Sequence, residues 1–286
     1  MHGRIMIQRS FGHGVSVSAL GLGCSRVGSV SNPTPMREIE ATLDAAVVAG
    51  VTLFDTADIY GQGDSERALG QLLRRHGERL FVVTKAGGRH SRYVSAIRLV
   101  KPLLRMIARS RPQVRRAVVA ARTATVVHDF SPRDLLPAVD ASRRRLGLDR
   151  LHGFMLHSPS METLRKPEIH DFLADLLSRG RALRVGVSID TLEALETAVS
   201  IPEVSIIQAP LEVIERLPGR ASLAQIRERD IGLFAREVLR RPNAAIGETR
   251  SARDILAAAI APYFITSVIV GVSTRRHLGD LLPSIT

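Results

Sequence analysis

Only three of the 40 basic residues are lysines (Lys85, Lys101 and Lys166), and tyrosine is equally scarce, at Tyr60, Tyr93 and Tyr263. One residue of each kind falls where an apolar, strand-like run ends. Lys85 closes FVVTK, and Tyr60 lies in DTADIYG, which begins with Asp55 and follows the run VTLF. A phenol with the ordinary pKa of about 10 is a poor acid at neutral pH. An ammonium beside it favours the phenolate and lowers that pKa, while a carboxylate paired with the ammonium keeps it charged and oriented. Arginine does not replace lysine in such a role, which calls for a compact ammonium with an adjustable pKa. His157 closes a further run, GFMLH, and from there can donate a hydrogen bond to a substrate oxygen as negative charge develops on it. Asp55, Tyr60, Lys85 and His157 are therefore the expected proton-transfer set. Each also has a plainer reading alone: Asp55 and Lys85 as a buried structural ion pair, Tyr60 and His157 as satisfied polar groups.

Such side chains must be carried by elements that end near one another. Apolar, β-rich runs predict strands over 19–23, 52–55, 81–85, 153–157, 184–188, 205–209, 232–236 and 267–272. Amphipathic stretches predict helices over 36–49, 65–76, 132–146, 161–179, 191–199, 223–228, 251–261 and 275–282. Strands alternating with helices imply a parallel sheet covered by helices. With no linker and no second domain-sized segment, the expectation is one α/β domain over residues 1–286, a (β/α)₈ TIM barrel. In that fold the C-terminal ends of the strands converge on the active site. An open doubly wound sheet is the alternative, and the lack of a GxGxxG after the first strand argues against it. Ahead of that strand, runs over 5–11 and 15–20 flank GHG and predict an N-terminal β-hairpin across the N-terminal mouth of the barrel. A long basic, helical insertion, residues 87–127, follows the third barrel strand. Its place directly after Lys85 favours a lid over the substrate mouth. A patch for an anionic partner or a membrane surface and a solvated helix pair are the other readings.

The net charge of +12 is compatible with polyanionic partners. The surplus is almost all arginine, however, with no basic tail and no nucleic-acid motif, so no nucleic-acid partner is expected. The single cysteine, Cys24, excludes an internal disulfide and suits a reducing compartment. The start, MHGRIMIQRS, has no apolar core of signal-peptide length and no apolar run reaches membrane-spanning length, so a cytoplasmic protein without stable membrane insertion is expected. No metal site is expected, and the sequence gives no indication of oligomeric state.

The segment DTADIYGQGDSERALG resembles the signature of the aldo-keto reductases, including Glu66, Leu69 and Gly70. FVVTK ending at Lys85, SRRRLGLDRLHGFMLH ending at His157, and RVGVS ending at Ser188 match further blocks of that family in order and spacing. The resemblance implies a TIM barrel that binds an extended nicotinamide cofactor, usually NADPH, and reduces a small carbonyl substrate to an alcohol or runs the reverse. It makes Tyr60 the general acid, with Lys85 and Asp55 tuning it and His157 orienting the carbonyl. It also places Ser188 and Gln208 at the carboxamide, and Gly271, Ser273 and Thr274 at a phosphate site at a helix N-terminus. Arg275, Arg276 and His277 favour a 2′-phosphate, and Asp280 falls at the adenine. Gly23 and Cys24 would line the cofactor face, Cys24 being otherwise a small buried hydrophobe. Arg236, ending its strand, would meet the pyrophosphate or an acidic substrate. The chain departs from the family at Ile189 (usually Asn), at Leu211, where an aromatic ring usually stacks on the nicotinamide, and at Leu281 (usually Asn). Those departures keep open a second reading, a barrel that binds NADPH as a regulatory or sensing subunit.

Overall fold

The computed structural model describes residues 6–12, 14–29, 32, 34–90, 126–239, 251–272 and 274–282. Eight parallel strands close into a barrel: β3 (Leu20–Gly23), β4 (Leu53–Asp55), β5 (Phe81–Ala86), β8 (Leu151–His157), β9 (Ala182–Ser188), β10 (Val204–Pro210), β11 (Gly232–Arg236) and β12 (Ser267–Gly271). β12 pairs back onto β3 with Gly271 opposite Gly23, which removes both sheet edges. Helices follow the strands, among them α1 (Met36–Val48), α2 (Asp64–His76) and α3 (Pro132–Leu146). This is the (β/α)₈ TIM barrel expected from the alternating pattern.

Side chains alternate across a strand, so residues two apart share a face. Leu53, Val83, Met155, Ile206, Phe234 and Ile269 fill one buried cluster inside the barrel. Two positions further along the same strands stand Asp55, Lys85, His157, Gln208, Arg236 and Gly271. The rule that buries the apolar layer therefore sets a polar layer directly above it, at the C-terminal end.

The opposite end is closed by the N-terminal hairpin, β1 (Gln8–Phe11) and β2 (Val15–Ser18). Phe11 is 1% exposed and lies edge-on to Phe81 and Phe234, with ring centroids 5.6 and 5.5 Å away. Gly232 makes room for it, since a Cβ there would fall 2.6 Å from the Phe11 ring.

Two parts of the structure differ from the sequence expectation. The helix predicted over 161–179 is two helices, α4 (Met161–Leu164) and α5 (Pro167–Ser178), because Pro167 has no N–H and restricts the residue before it. A small antiparallel sheet, β6 (Gly88–His90) with β7 (Val126–His128), joins the two sides of the insertion. Residues 91–125 lie outside the described residues, and with them the predicted insertion helices. No helix among the described residues is long and apolar enough to cross a membrane.

Candidate active site

A cavity of about 780 Å³ opens at the C-terminal end of the barrel. Asp55, Tyr60 and His157 line it, as do Ser188, Gln208, Arg236, Gly23 and Gly271. Lys85 lies beside them, 1% exposed, with its Nζ donating to Asp55 Oδ1 at 2.6 Å and to the Thr56 carbonyl at 2.8 Å. The same Asp55 oxygen accepts from Gln208 Nε2 at 2.9 Å, and Gln208 Oε1 accepts from Ser188 Oγ at 2.8 Å. One hydrogen-bonded chain thus runs from Lys85 through Asp55 and Gln208 to Ser188. A buried ion pair is tolerable only when its remaining polar atoms are satisfied in this way.

Tyr60 is placed by the turn after β4. Gly61 and Gly63 in that turn have φ of 57° and 86°, a left-handed backbone that glycine adopts without strain. A Cβ on Gly61 would fall 2.8 Å from the Val27 carbonyl, so the turn lies hard against the loop after β3. Ser65 Oγ strengthens that contact, donating to the Cys24 carbonyl at 3.0 Å. Glu66, fully buried on α2, accepts from Thr84 Oγ1 at 2.7 Å beside Lys85 and pairs with Arg145. A Cβ on Gly70 would fall 2.6 Å from the Arg145 carbonyl. Much of DTADIYGQGDSERALG therefore fixes the position of one side chain.

Lys85 Nζ is 5.3 Å from the centroid of the Tyr60 ring, and the Tyr60 and His157 rings meet edge-to-face at 5.8 Å. Burial is the largest influence on Tyr60 and raises its pKa; Lys85 pulls it down, without prevailing. This corrects the expectation of a lowered phenol pKa, since desolvation outweighs the neighbouring ammonium. Burial works against the Lys85 ammonium as well, but Asp55 and Tyr60 overcome it and its pKa lies above the ordinary lysine value. Burial, reinforced by Lys85, His128 and Arg236, holds His157 down to about 3 and keeps it neutral. His157 Nδ1 is buried without a hydrogen-bond partner among the described residues.

Other predicted residues are placed differently. Cys24 and Leu211 belong to the buried apolar core, and burial pushes the Cys24 thiol far above its usual range. Arg236 is engaged by carboxylates from two directions, Asp190 and Glu237, and also donates to the Ile189 carbonyl at 3.0 Å. Thr274 caps the seven-residue helix Arg275–Leu281, accepting from the His277 backbone N–H at 3.3 Å. Arg275 is exposed and turns back to the Ala41 carbonyl on α1, while Arg276, His277 and Asp280 are exposed. Ser273 lies outside the described residues.

Sequence reasoning missed Asp190, Glu237, Ser158 and the Ser25–Arg26 pair, all on the cavity wall. Ser158 and Glu237 each follow a strand-end residue, and with Gln62 they have positive φ of 56°, 60° and 57°. Non-glycine residues rarely adopt that backbone, and such strain gathers at functional sites. The legible signal was position: each lies within two or three residues of a barrel strand end.

Residues 19–254 match the aldo/keto reductase family. The chain belongs to that family. It is 29% identical over 185 residues to a pyridoxal 4-dehydrogenase of Microbacterium luteolum, covering 64% of this chain and 52% of that one. It is 27% identical over 238 residues to a D-threo-aldose 1-dehydrogenase of a Pseudomonas species, covering 79% and 67%. The match to the first of these aldo/keto reductase relatives thus spans about half of its length. Among solved structures, an aldo-keto reductase from Klebsiella pneumoniae in complex with NADPH superposes with a TM-score of 0.67 at 20% identity, over 99% of this chain and 90% of that one. The holo form of an aldo-keto reductase from Bacillus halodurans gives 0.73 at 19% identity, over 98% and 91%. At these identities the structural likeness concerns the fold.

Proposed function

We propose that this aldo/keto reductase is an NADPH-dependent oxidoreductase that interconverts a small aldehyde or ketone and the corresponding alcohol, with Tyr60 as the group that gives or takes the proton. The observation that carries the reading is the buried Asp55–Lys85 pair set 5.3 Å from the ring of a tyrosine on the wall of the cavity. An ion pair of purely structural use would gain nothing from facing a phenol there.

The cavity suits a dinucleotide. Gly23 and Gly271 leave part of the wall free of side chains, and Arg236 Nε is a buried donor with no hydrogen-bond partner among the described residues. In this reading Ser188 and Gln208 hold the carboxamide and Arg236 meets the pyrophosphate. Residues from Gly271 to Asp280, Ser273 included, hold the adenosine phosphate end. Cys24 and Leu211 act from below, as apolar support. The bound nicotinamide supplies the hydride.

The chain's own residues do the rest. Neutral His157 donates to the carbonyl oxygen and fixes where it lies. Tyr60, whose raised pKa keeps it protonated through neutral pH, passes its proton to that oxygen as the alkoxide forms. Lys85 remains charged and lowers the energy of the phenolate left behind, and Asp55 holds Lys85 in place. Tyr60→Phe is expected to lower carbonyl reduction by roughly 10²–10⁴-fold. NADPH affinity, followed by cofactor fluorescence, should change by less than about twofold. Tight NADPH binding without Tyr60-dependent turnover of any aldehyde or ketone would instead favour a regulatory or sensing barrel. Burial of Ile189, Leu211 and Leu281 in the core speaks for that second reading.

A further inference from the structure

Among the described residues, two arginines on the cavity wall stand in opposite electrostatic situations. Arg236 is matched by Asp190 and Glu237, and Lys85 by Asp55. Arg26 has neither an ion pair nor a side-chain hydrogen bond to any described residue, and its side chain is exposed on the same cavity wall as Tyr60 and His157. His157 is held neutral, so it offers no charge at that end.

The Arg26 backbone is firmly anchored. Its carbonyl accepts from the Ser29 N–H and from Asn32 Nδ2, each at 3.2 Å. The next two residues abut the Tyr60 turn, where a Cβ on Gly61 would meet Val27 and Gly28, and a Cβ on Gly28 would fall 2.4 Å from Asp64 Cβ. Cys24, two residues earlier, is tied to the same turn through Asp55 and Ser65. A cation without a counter-ion among the described residues is thus fixed against the turn that carries Tyr60.

We infer that the substrate is a carbonyl compound, or its alcohol, that bears its own anionic group, and that Arg26 is the residue that selects it by pairing with that group. The inference rests on the reductase reading. A carboxylate and a phosphate share the required chemistry, being planar or tetrahedral oxyanions that a guanidinium fork can hold through two hydrogen bonds.

The test compares charged and neutral aldehydes of similar shape: succinic semialdehyde with its methyl ester, and glyceraldehyde 3-phosphate with glyceraldehyde. For Arg26→Gln, KM for the charged member of at least one pair should rise roughly ten- to hundredfold, the usual worth of a hydrogen bond to a charged group. Its kcat, the KM of the neutral member and the Kd for NADPH should each stay within about twofold. Arg26→Lys should recover part of the loss, and added salt should raise KM for the charged member in the wild type alone. The pair that responds tells carboxylate from phosphate. Equal losses on charged and neutral members, or a loss that falls on NADPH affinity, would overturn the inference and leave the reductase reading standing. Absence of Tyr60-dependent turnover with all four aldehydes would remove both.

Discussion

The two ends of this barrel are built from the same strands and solve opposite problems. At the N-terminal end Phe11 sits between Phe81 and Phe234, and Gly232 is the only shape that lets it in. At the C-terminal end, two residues beyond Leu53, Val83 and Ile206 on their strands, the barrel instead buries Asp55, Lys85 and Gln208, with Ser188 beside them. The first arrangement gains stability from area removed from water; the second keeps charge out of water at a cost that hydrogen bonds only partly offset. The difference teaches that stability and chemistry are separable here, one layer of side chains apart.

That separation can be broken most severely at Lys85. Lys85→Met leaves Asp55 buried without its cation, which should cost about 3–5 kcal/mol of stability and also remove carbonyl reduction. Both denaturant midpoint and turnover are the readouts, and loss of one without the other would mean the pair serves a single end. Phe11→Ala should cost a similar ~3–5 kcal/mol in the same unfolding experiment, yet leave kcat and KM nearly unchanged in the folded fraction. A large fall in kcat would show that the two ends are coupled.

The smallest effect concerns His157. Its folded pKa of about 3 lies below the ordinary histidine value, so the unfolded chain binds its proton first as pH falls. The stability tied to neutral His157 is therefore complete above about pH 6.5 and declines from there toward pH 3. Melting temperatures between pH 7.5 and about 5 should fall more steeply for wild type than for His157→Gln. Identical slopes would mean that folding leaves the His157 pKa where it lies in the unfolded chain, and a steeper fall for His157→Gln would mean that the folded protein holds His157 protonated.

Much of this was legible in the sequence because strand period and strand end are local properties. The strand over 232–236 and the helix over 132–146 match the structure residue for residue, and each barrel strand is placed to within two residues. The proposed proton-transfer residues were read from where the strands stop, Asp55, Lys85 and His157 at or beside strand ends and Tyr60 in the turn after β4. What was not legible depends on partners far along the chain. The β6–β7 pair is too short to show a period and joins residues 88–90 to 126–128. The engagement of Arg236 by Asp190 and Glu237 is a three-dimensional event, as is the burial that reverses the expected direction for Tyr60. Some of the arginine surplus also has an interior use. Arg229 donates to the carbonyls of Val199, Ile201, Pro202 and Val204, which composition read as excess charge.

Arg9 has a comparable reach, since from β1 it donates to the carbonyls of Ile260, Pro262 and Ile265, some 250 positions away. Together with the β3–β12 seam, it makes the first and last strands of the barrel wait for each other. Loop-closure entropy makes such a contact slow to form, so the seam is expected to be a late event on the folding pathway. Until it forms, two strand edges stand open, and the chain is then most exposed to aggregation and to proteolysis.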